Sequence, residues 1–557
     1  MEKVYNTSLN IKNINSFVTL EGWVAKKRNL GGLIFIDLRD STGIIQLVVR
    51  PENKNYEAAS NLKNEYVIKV KGTVLERESK NPNIPTGDIE IDVEELEVLN
   101  TCEELPFPIV DDVNTSEDNR LKYRYLDIRR NKLRENLVLR SEVLHYLRNK
   151  MYDLGFTEVQ TPILTASSPE GARDFVVPSR VYPGKFYALP QAPQIYKELL
   201  MVGGFEKYFQ IAPCFRDEDP RADRTLEFYQ LDLEMSFVSE DDVLNVGEEI
   251  FYDTFTKFSN KKVSPRPFRR ISYNDAIDNY GSDKPDLRFD MTIKDISDVF
   301  KNTEFTVFKN VLSENGVINA IVAKNASASY SRKGLDELTE FVKGKKASGL
   351  AYLKFEDEVS GSIAKAVTES ELNALKEKLS IEKGDLVLII SGPKKIVKPA
   401  LGALRIKVAN DLGLIDNDRL ELCIVNDFPM FEWDEINEKW DFCHNPFSLP
   451  HDGIHAYDDM DNIGNILAYQ FDFVCNGNEM ASGAIRNHDL DSMAKGFEIV
   501  GYKRAEVEKR FKSIFTAFKY GCPPHGGMAP GLDRILMLIK DEPNLREVQA
   551  FPPSASA

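Results

Sequence analysis

Tyr208-Phe-Gln-Ile-Ala-Pro-Cys-Phe215, Arg216-Asp-Glu-Asp-Pro-Arg-Ala-Asp-Arg224 and Gln230-Leu-Asp-Leu-Glu-Met-Ser-Phe237 read as a strand, a charged loop and a return strand. In the return strand Leu231, Leu233, Met235 and Phe237 alternate with Gln230, Asp232, Glu234 and Ser236. Strand side chains project to opposite faces in turn, so one face packs into a core while the other presents Gln230, Asp232 and Glu234 together. Taken alone, such a hairpin is more often a sheet with one wet face. The loop tilts the reading, because alternating cations and carboxylates suit a polyanion held together with a divalent metal.

A second phosphate signal lies far downstream, in Gly526-Gly-Met-Ala-Pro-Gly531-Leu-Asp-Arg534. Glycines allow close backbone approach, a helix N-terminus favours anions, and an arginine in the first turn can fork onto phosphate oxygens. The pattern has neither the Walker A lysine nor the dinucleotide fingerprint, which excludes the two commonest phosphate loops. Upstream of the hairpin, Val143, Leu147, Met151 and Leu154 recur at helical spacing, with Gly155 at the expected C-terminal cap. Phe156 to Val159 then reads as a strand halted near Pro162. Strand-like runs return at Leu422-Cys-Ile-Val, Leu467 to Val474 and Met480 to Ile485, and a last amphipathic helix starts near Gly531. Between about Ser282 and Gly413, helices and strands alternate behind Lys/Glu-rich surfaces, and no polar cluster there connects to chemistry. That stretch reads as an inserted domain.

The N-terminal hundred residues differ in texture. Val18-Thr-Leu-Glu-Gly-Trp-Val, Leu33-Ile-Phe-Ile-Asp-Leu, Gly43-Ile-Ile-Gln-Leu-Val-Val and Tyr66-Val-Ile-Lys-Val are short alternating runs separated by turns, the signature of a small β-barrel. Its polar face carries Lys26, Lys27 and Arg28 beside Trp23 and Phe35. Cations for a backbone and rings for bases are what a single-stranded nucleic acid needs, although barrel-core aromatics beside a solvated basic turn fit equally well.

Composition bounds the rest. At 557 residues, the chain holds three or four domains, and 42% hydrophobic with 29% charged residues excludes a disordered or fibrous protein. The six cysteines show no Cys-x-x-Cys spacing, so no structural zinc site or disulfide framework is expected. No apolar run reaches the ~18 residues of a membrane span, and the N-terminus reads as neither a signal nor a transit peptide, so a cytoplasmic protein is expected. The net charge of −17 argues, on its face, against a phosphate-coated partner. That average hides Leu121 to Arg140, where seven basic residues stand against two acidic ones. This stretch and Lys26 to Arg28 are the expected contact faces, with the acidic excess lying elsewhere.

Phe215-Arg-Asp-Glu218 and Gly531-Leu-Asp-Arg534 resemble motifs two and three of the class II aminoacyl-tRNA synthetases, and the helix, strand and Pro162 resemble motif one, which forms the dimer interface in that class. More narrowly, Ser168-Pro-Glu-Gly-Ala-Arg-Asp174, Gln191-Ala-Pro-Gln194-Ile-Tyr-Lys197 and His444-Asn-Pro-Phe447 resemble the aspartyl-tRNA synthetase family, bacterial type. The resemblance runs along essentially the whole chain. It implies an α+β protein: an OB-fold anticodon-binding barrel over 1–104, a hinge over 105–137, an antiparallel-sheet catalytic domain over 138–281 and 414–557, and the bacterial type's α/β insert over 282–413.

The resemblance also implies roles. Arg216, Glu218 and Arg534 would be the catalytic residues, on the α-phosphate, the adenine or ribose side, and the γ-phosphate of ATP. Phe228 would stack under adenine, with Asp217, Thr225, Glu479, Gly531, Leu532 and Asp533 completing the ATP site and Asp472 and Glu479 holding Mg2+. Glu170, Gln194, Arg216, Asp232 and His444 would line the L-aspartate pocket, with Lys197 and Arg486 facing the side-chain carboxylate. Arg28, Phe35, Gln46, Arg77, Asn81 and Glu90 would meet the anticodon. The implied partners are tRNA(Asp), with tRNA(Asn) left open, and a second copy in a homodimer, with no membrane. Thr225 departs from the glutamine many members carry, and Asn445 from a histidine found in some.

Adenylation needs no protein nucleophile, because the amino acid's own carboxylate attacks phosphorus, and this explains the lack of a Ser/His/Asp arrangement. Aspartate and asparagine share a shape, so charge must separate them. Lys197 and Arg486 would stand unpaired around asparagine, at a cost of roughly 3 to 5 kcal/mol for a broken buried pair. Glu479 and Arg486, seven apart, would face opposite sides of a straight strand, so one pocket requires a bulge, expected at Gly483. The alternatives are an asparagine-activating enzyme of the same class, a non-catalytic tRNA-binding paralogue, and an asparagine synthetase-like relative, which would not need the barrel.

Overall fold

Alternating apolar residues close the N-terminal strands on themselves. A computed structural model describes residues 4–167, 172–219, 221–222 and 224–553, and the chain divides into two compact units, Met1–Arg134 and Glu135–Ala557. In the first, β1 (Phe17–Leu30), β2 (Leu33–Arg39), β3 (Ile44–Val49), β4 (Val67–Glu76) and β5 (Ile89–Asn100) form a closed barrel in the order β1-β2-β3-β5-β4. Every second side chain enters the interior, among them Leu20, Val24, Ile36, Leu47, Val70 and Ile91.

Part of the basic stretch after the barrel is turned inward: Arg124 and Arg130 are buried, while Lys122 and Lys132 are exposed. Asp127, fully buried, accepts from Arg124 Nη1 at 2.7 Å and Arg130 Nε at 2.5 Å, with Arg120 at 3.4 Å. Arg129 pairs with Glu65 at 2.8 Å and lies over the Trp23 ring at 5.3 Å. Arg124, Arg129 and Arg130 neutralise buried carboxylates, and Trp23 is capped by the Arg129 guanidinium, which takes these four residues out of the expected contact faces. The following helix also starts earlier than its apolar spacing suggested, running Asn131–Asp153 through part of the stretch read as hinge; Gly155 follows it with φ +81°.

The second unit is organised by an eight-stranded sheet, in the order Arg269–Ser272, Leu422–Pro429, Leu467–Cys475, Asn478–Ile485, His525–Pro530, Glu227–Ser236, Lys207–Phe215 and Thr157–Glu158. Its end pairs are parallel and the pairs between them antiparallel. The quoted hairpin forms as read as far as Ser236, with Leu231 and Leu233 in the core beside Phe209, Phe471 and Leu532; Phe237, expected on the core face, lies past the strand's end with φ +59° and is exposed. Between the sheet's early and late strands lies a second sheet of five, Lys294–Asp295, Val317–Ala323, Leu386–Gly392, Ala351–Phe355 and Val359–Gly361, with a separate apolar core on each face.

The bulge in Asn478–Ile485 is real but sits elsewhere than expected. Phe473 pairs with Ala481 and Val474 with Glu479, so Met480 is the extra residue. Gly483 has another reason to be glycine: a Cβ there would lie 2.4 Å from the Phe471 ring and 2.7 Å from the Gly527 carbonyl.

Candidate active site

One cavity of about 350 Å³ opens on this sheet, lined from the hairpin's loop and return strand, from the strand Asn478–Ile485 and from the late helix. It gathers Gln194, Lys197, Arg216, Glu218, Thr225, Phe228, Asp232, His444, Glu479, Arg486, Gly531, Asp533 and Arg534, residues separated by up to 340 positions in sequence. Of the other expected residues, Asp217 is exposed, with its amide bonded to the Arg173 carbonyl. Leu532 packs into the core, and Asp472 is fully buried outside the lining. Glu170 lies outside the described residues.

Lys197, Asp232 and Arg486 of this lining join Glu234, which is buried outside it, in a quartet of charges. Lys197 Nζ lies 2.7 Å from Asp232 Oδ1 and 3.2 Å from Glu234 Oε2. Arg486 grips the same Glu234 with Nε at 2.8 Å and Nη2 at 3.1 Å, and also donates to the Gly527 carbonyl at 3.3 Å. Gly527 permits this, since a Cβ would fall 2.3 Å from Glu234 Oε2. Burial pushes the Glu234 carboxyl up, but Arg486 and Lys197 overcome it and hold it at about 2. Burial raises the Asp232 carboxyl in spite of Lys197, and its Oδ2 has no hydrogen-bond partner. Both cations thus already have protein counter-ions, so neither would stand unpaired around asparagine as expected. Glu234, facing inward in the quoted strand, was not assigned a role from sequence.

Other groups of the lining suit a nucleotide. The Arg216 guanidinium lies over the Phe228 ring at 4.9 Å, and Glu218 meets Arg224 at 3.2 Å. Arg534 Nη1 donates to the Glu479 carbonyl at 2.6 Å and lies 3.8 Å from its carboxylate. Gly531 caps the last helix with its amide on the Met480 carbonyl at 2.8 Å. The nearest atom to a Cβ at Gly531 would be 3.8 Å away, so the protein itself does not demand glycine there. Asp533 is bound by Arg140 and by Gln549 at 3.0 Å, and the Thr225 hydroxyl donates to the Glu227 carbonyl at 2.7 Å. Both side chains are occupied within the protein.

A candidate cation site adjoins. Asp472 has two fully buried carboxylate oxygens with no hydrogen-bond partner. Its carboxyl is pushed well up by burial and then by the Glu479 charge. Ligand atoms of Asp283, His444 and Asp472 lie within 4.8 Å of one another, while Glu479 faces Lys284 at 3.5 Å. Orphaned oxygens and clustered carboxylates are the donor set of a hard divalent cation, so these residues fit magnesium. Asp283 and Lys284 come from the start of the stretch in which no chemistry was read; neither periodicity nor motif marks them, and folding alone brings them here.

Residues 116–555 match the family of class II tRNA synthetases (D, K and N), and residues 18–99 match the OB-fold nucleic acid binding domain. The chain belongs to the class II tRNA synthetases. It is 49% identical over 560 residues to the aspartate–tRNA(Asp/Asn) ligase of Rickettsia akari (strain Hartford), spanning 99% of this chain and 93% of that one. With the ligase of the same description from Phenylobacterium zucineum (strain HLK1), identity is 50% over 550 residues, spanning 98% and 92%. Among solved structures, the asparaginyl-tRNA synthetase of Pyrococcus horikoshii complexed with asparaginyl-adenylate shares the fold, with TM-score 0.62, 21% identity, and 100% and 98% of the two chains covered.

In this synthetase the barrel positions expected at the anticodon form a linked group. Gln46 Oε1 accepts from Arg77 at 2.8 Å and Arg28 at 3.3 Å, while its amide donates to Glu90 at 2.7 Å. Phe35 pairs across the strands with Arg28 and is half-buried. Asn81 lies apart in the loop before β5, its side chain accepting from the Asn83 amide at 3.0 Å.

Proposed function

We propose that the chain is an aspartate–tRNA ligase: L-aspartate and ATP give aspartyl-AMP and pyrophosphate, and a terminal ribose hydroxyl of tRNA(Asp) then takes the aspartyl group and releases AMP. The observation that carries this reading is a single cavity lined by Lys197, Asp232 and Arg486 of the charged quartet together with Arg216, Phe228 and Arg534. The amino acid's α-carboxylate attacks the α-phosphorus, so the protein positions and neutralises rather than reacting itself. Arg216 holds the α-phosphate, Phe228 the adenine, Glu218 the adenine or ribose side and Arg534 the γ-phosphate. Gly531 leaves room for the nucleotide's close approach. Asp472 and Glu479, with Asp283 beside them, would hold Mg2+, which supplies charge neutralisation at the phosphates.

Charge balance favours aspartate over asparagine. The α-ammonium of the substrate adds a cation that the spare oxygen of Asp232 accepts, and the side-chain carboxylate of aspartate offsets it against Lys197 and Arg486. With the α-carboxylate turned away toward the α-phosphorus and Arg216, asparagine brings the ammonium without a side-chain carboxylate and leaves the buried set one charge positive. Arg28, Phe35, Gln46, Arg77, Asn81 and Glu90 read the anticodon, and the relatives' shared name favours tRNA(Asn) as a second acceptor. We assign 282–413 to the insert and place the homodimer contact at the edge strand Thr157–Glu158, near the exposed Tyr152, Ile163 and Leu164. Among the described residues no helix is long and apolar enough to cross a membrane, and the cytoplasm is the proposed location.

Aspartate-dependent exchange of labelled pyrophosphate into ATP tests the assignment. Exchange with aspartate, absent with asparagine and abolished by Arg216→Ala, is expected; an inert chain or an unaffected variant sinks it. Charging of the two purified tRNAs separates one acceptor from two.

A further inference from the structure

Behind the charged quartet lies a second buried polar chain that the reaction above leaves unused. The helix Gln194–Val202 places Gln194 and Glu198, four residues apart, on one side. Gln194 Nε2 donates to Glu198 Oε1 at 2.5 Å, and Glu198 Oε2 faces His525 Nε2 at 3.2 Å. The other ring nitrogen, Nδ1, lies 2.8 Å from the Pro523 carbonyl and 3.8 Å from Cys522 Sγ. Glu198 and His525 are fully buried, and Gln194 is nearly so at the cavity wall.

An imidazole with a carboxylate at one nitrogen and a carbonyl oxygen at the other satisfies both only when both nitrogens carry protons. Burial pulls the His525 ring downward, and its bonds to Cys522 and Glu198 outweigh that pull, holding it at about 10. A charged His525 keeps Glu198 a carboxylate, which accepts and never donates. An acceptor-only partner settles the Gln194 amide: its NH2 is committed to Glu198, and its carbonyl oxygen is left to the cavity.

We propose that Glu198 and His525 are positioning residues that lock the Gln194 amide with its oxygen toward the substrate, making it an acceptor for the ammonium of the amino acid. The proposal rests on the reading that Gln194 lines the amino-acid pocket. With Glu198 neutral, the amide can reverse and present NH2 to the ammonium, so affinity for the amino acid falls while the nucleotide end is untouched.

The test is a cycle of Gln194→Ala, Glu198→Gln and the double variant in the full chain, reading KM for aspartate and for ATP by pyrophosphate exchange. Loss of one charge-assisted bond predicts that each single change raises the aspartate KM about tenfold or more, leaving the ATP KM as it was. The double variant is expected to match Gln194→Ala, because Glu198 acts only through Gln194. If Glu198→Gln multiplies the aspartate KM equally in the Gln194→Ala background, Glu198 acts on packing and the lock is overturned. An unchanged aspartate KM in Gln194→Ala instead overturns the pocket reading beneath it, and exchange that never depends on aspartate overturns the ligase. His525→Gln, in both backgrounds, gives the same cycle should Glu198→Gln fold poorly.

Discussion

Arg486 and Glu234 meet through two parallel bonds, Nε to Oε1 at 2.8 Å and Nη2 to Oε2 at 3.1 Å, with both side chains buried. The planar fork of an arginine fits a carboxylate in this way, and a lysine cannot. Arg486→Lys is therefore expected to raise the aspartate KM by roughly a hundredfold, the scale of a disturbed buried pair. Exchange kinetics with the ATP KM as internal control measure it; equal changes in both constants count against a role confined to the amino-acid end.

Two glycines of the same sheet region separate packing from binding. Gly483→Ala pushes a methyl into the Phe471 ring at 2.4 Å and is expected to lower stability by about 1–3 kcal/mol. Gly531→Ala meets no atom closer than 3.8 Å, so it should keep the parent melting temperature while raising the ATP KM. Thermal melts beside ATP titrations decide; a destabilised Gly531→Ala with normal ATP kinetics refutes ligand approach as the reason for that glycine.

His525 and Glu234 place opposite limits on the pH range. His525 is held at about 10 against an ordinary 6.5, so its stabilisation is complete below 6.5 and is lost as pH rises through about 10. Glu234, at about 2 against 4.5, contributes above 4.5 and loses that contribution as pH falls toward 2. The melting temperature of the parent should fall more steeply than that of His525→Gln between pH 7 and 10. Parallel curves would mean that His525 carries no extra proton in the fold.

Asp472 has two buried oxygens without hydrogen-bond partners, and burial with the Glu479 charge outweighs the help that Lys284 and Ser482 give its charged form. Asp472→Asn is expected to raise the melting temperature in chelator and to remove the gain that Mg2+ gives the parent. A metal-induced gain that survives the substitution excludes Asp472 as a ligand.

On the barrel, Phe35 beside Arg28 is a half-buried ring at the Gln46 hub. Phe35→Ala should raise the KM for tRNA about ten- to a hundredfold, the worth of one stacked base, without altering pyrophosphate exchange. A fall in exchange itself would show a general loss of folding instead.

Local patterns proved readable where a residue's role depends on its near neighbours. The hairpin's alternation placed Leu231 and Leu233 in the core and Asp232 and Glu234 with the cations, because strand geometry fixes the face of every second side chain. Gly531 and Arg534 likewise open the final helix as their spacing implied. The basic run around Arg124 and Arg130 misled, because charge counts carry no record of which carboxylates fold back onto them; Asp127 takes two of these cations at once.

The sequence by itself determined the barrel, the hairpin, the late helix and the family, since each rests on periodicity or a contiguous motif. Only the tertiary structure decided that Lys197 and Arg486 are already paired, that the bulge falls at Met480, and that Asp283, Lys284 and His525 stand at the site. The physical reason is that a buried charge is defined by the partners that solvate it, and those partners arrive from strands and helices hundreds of residues apart.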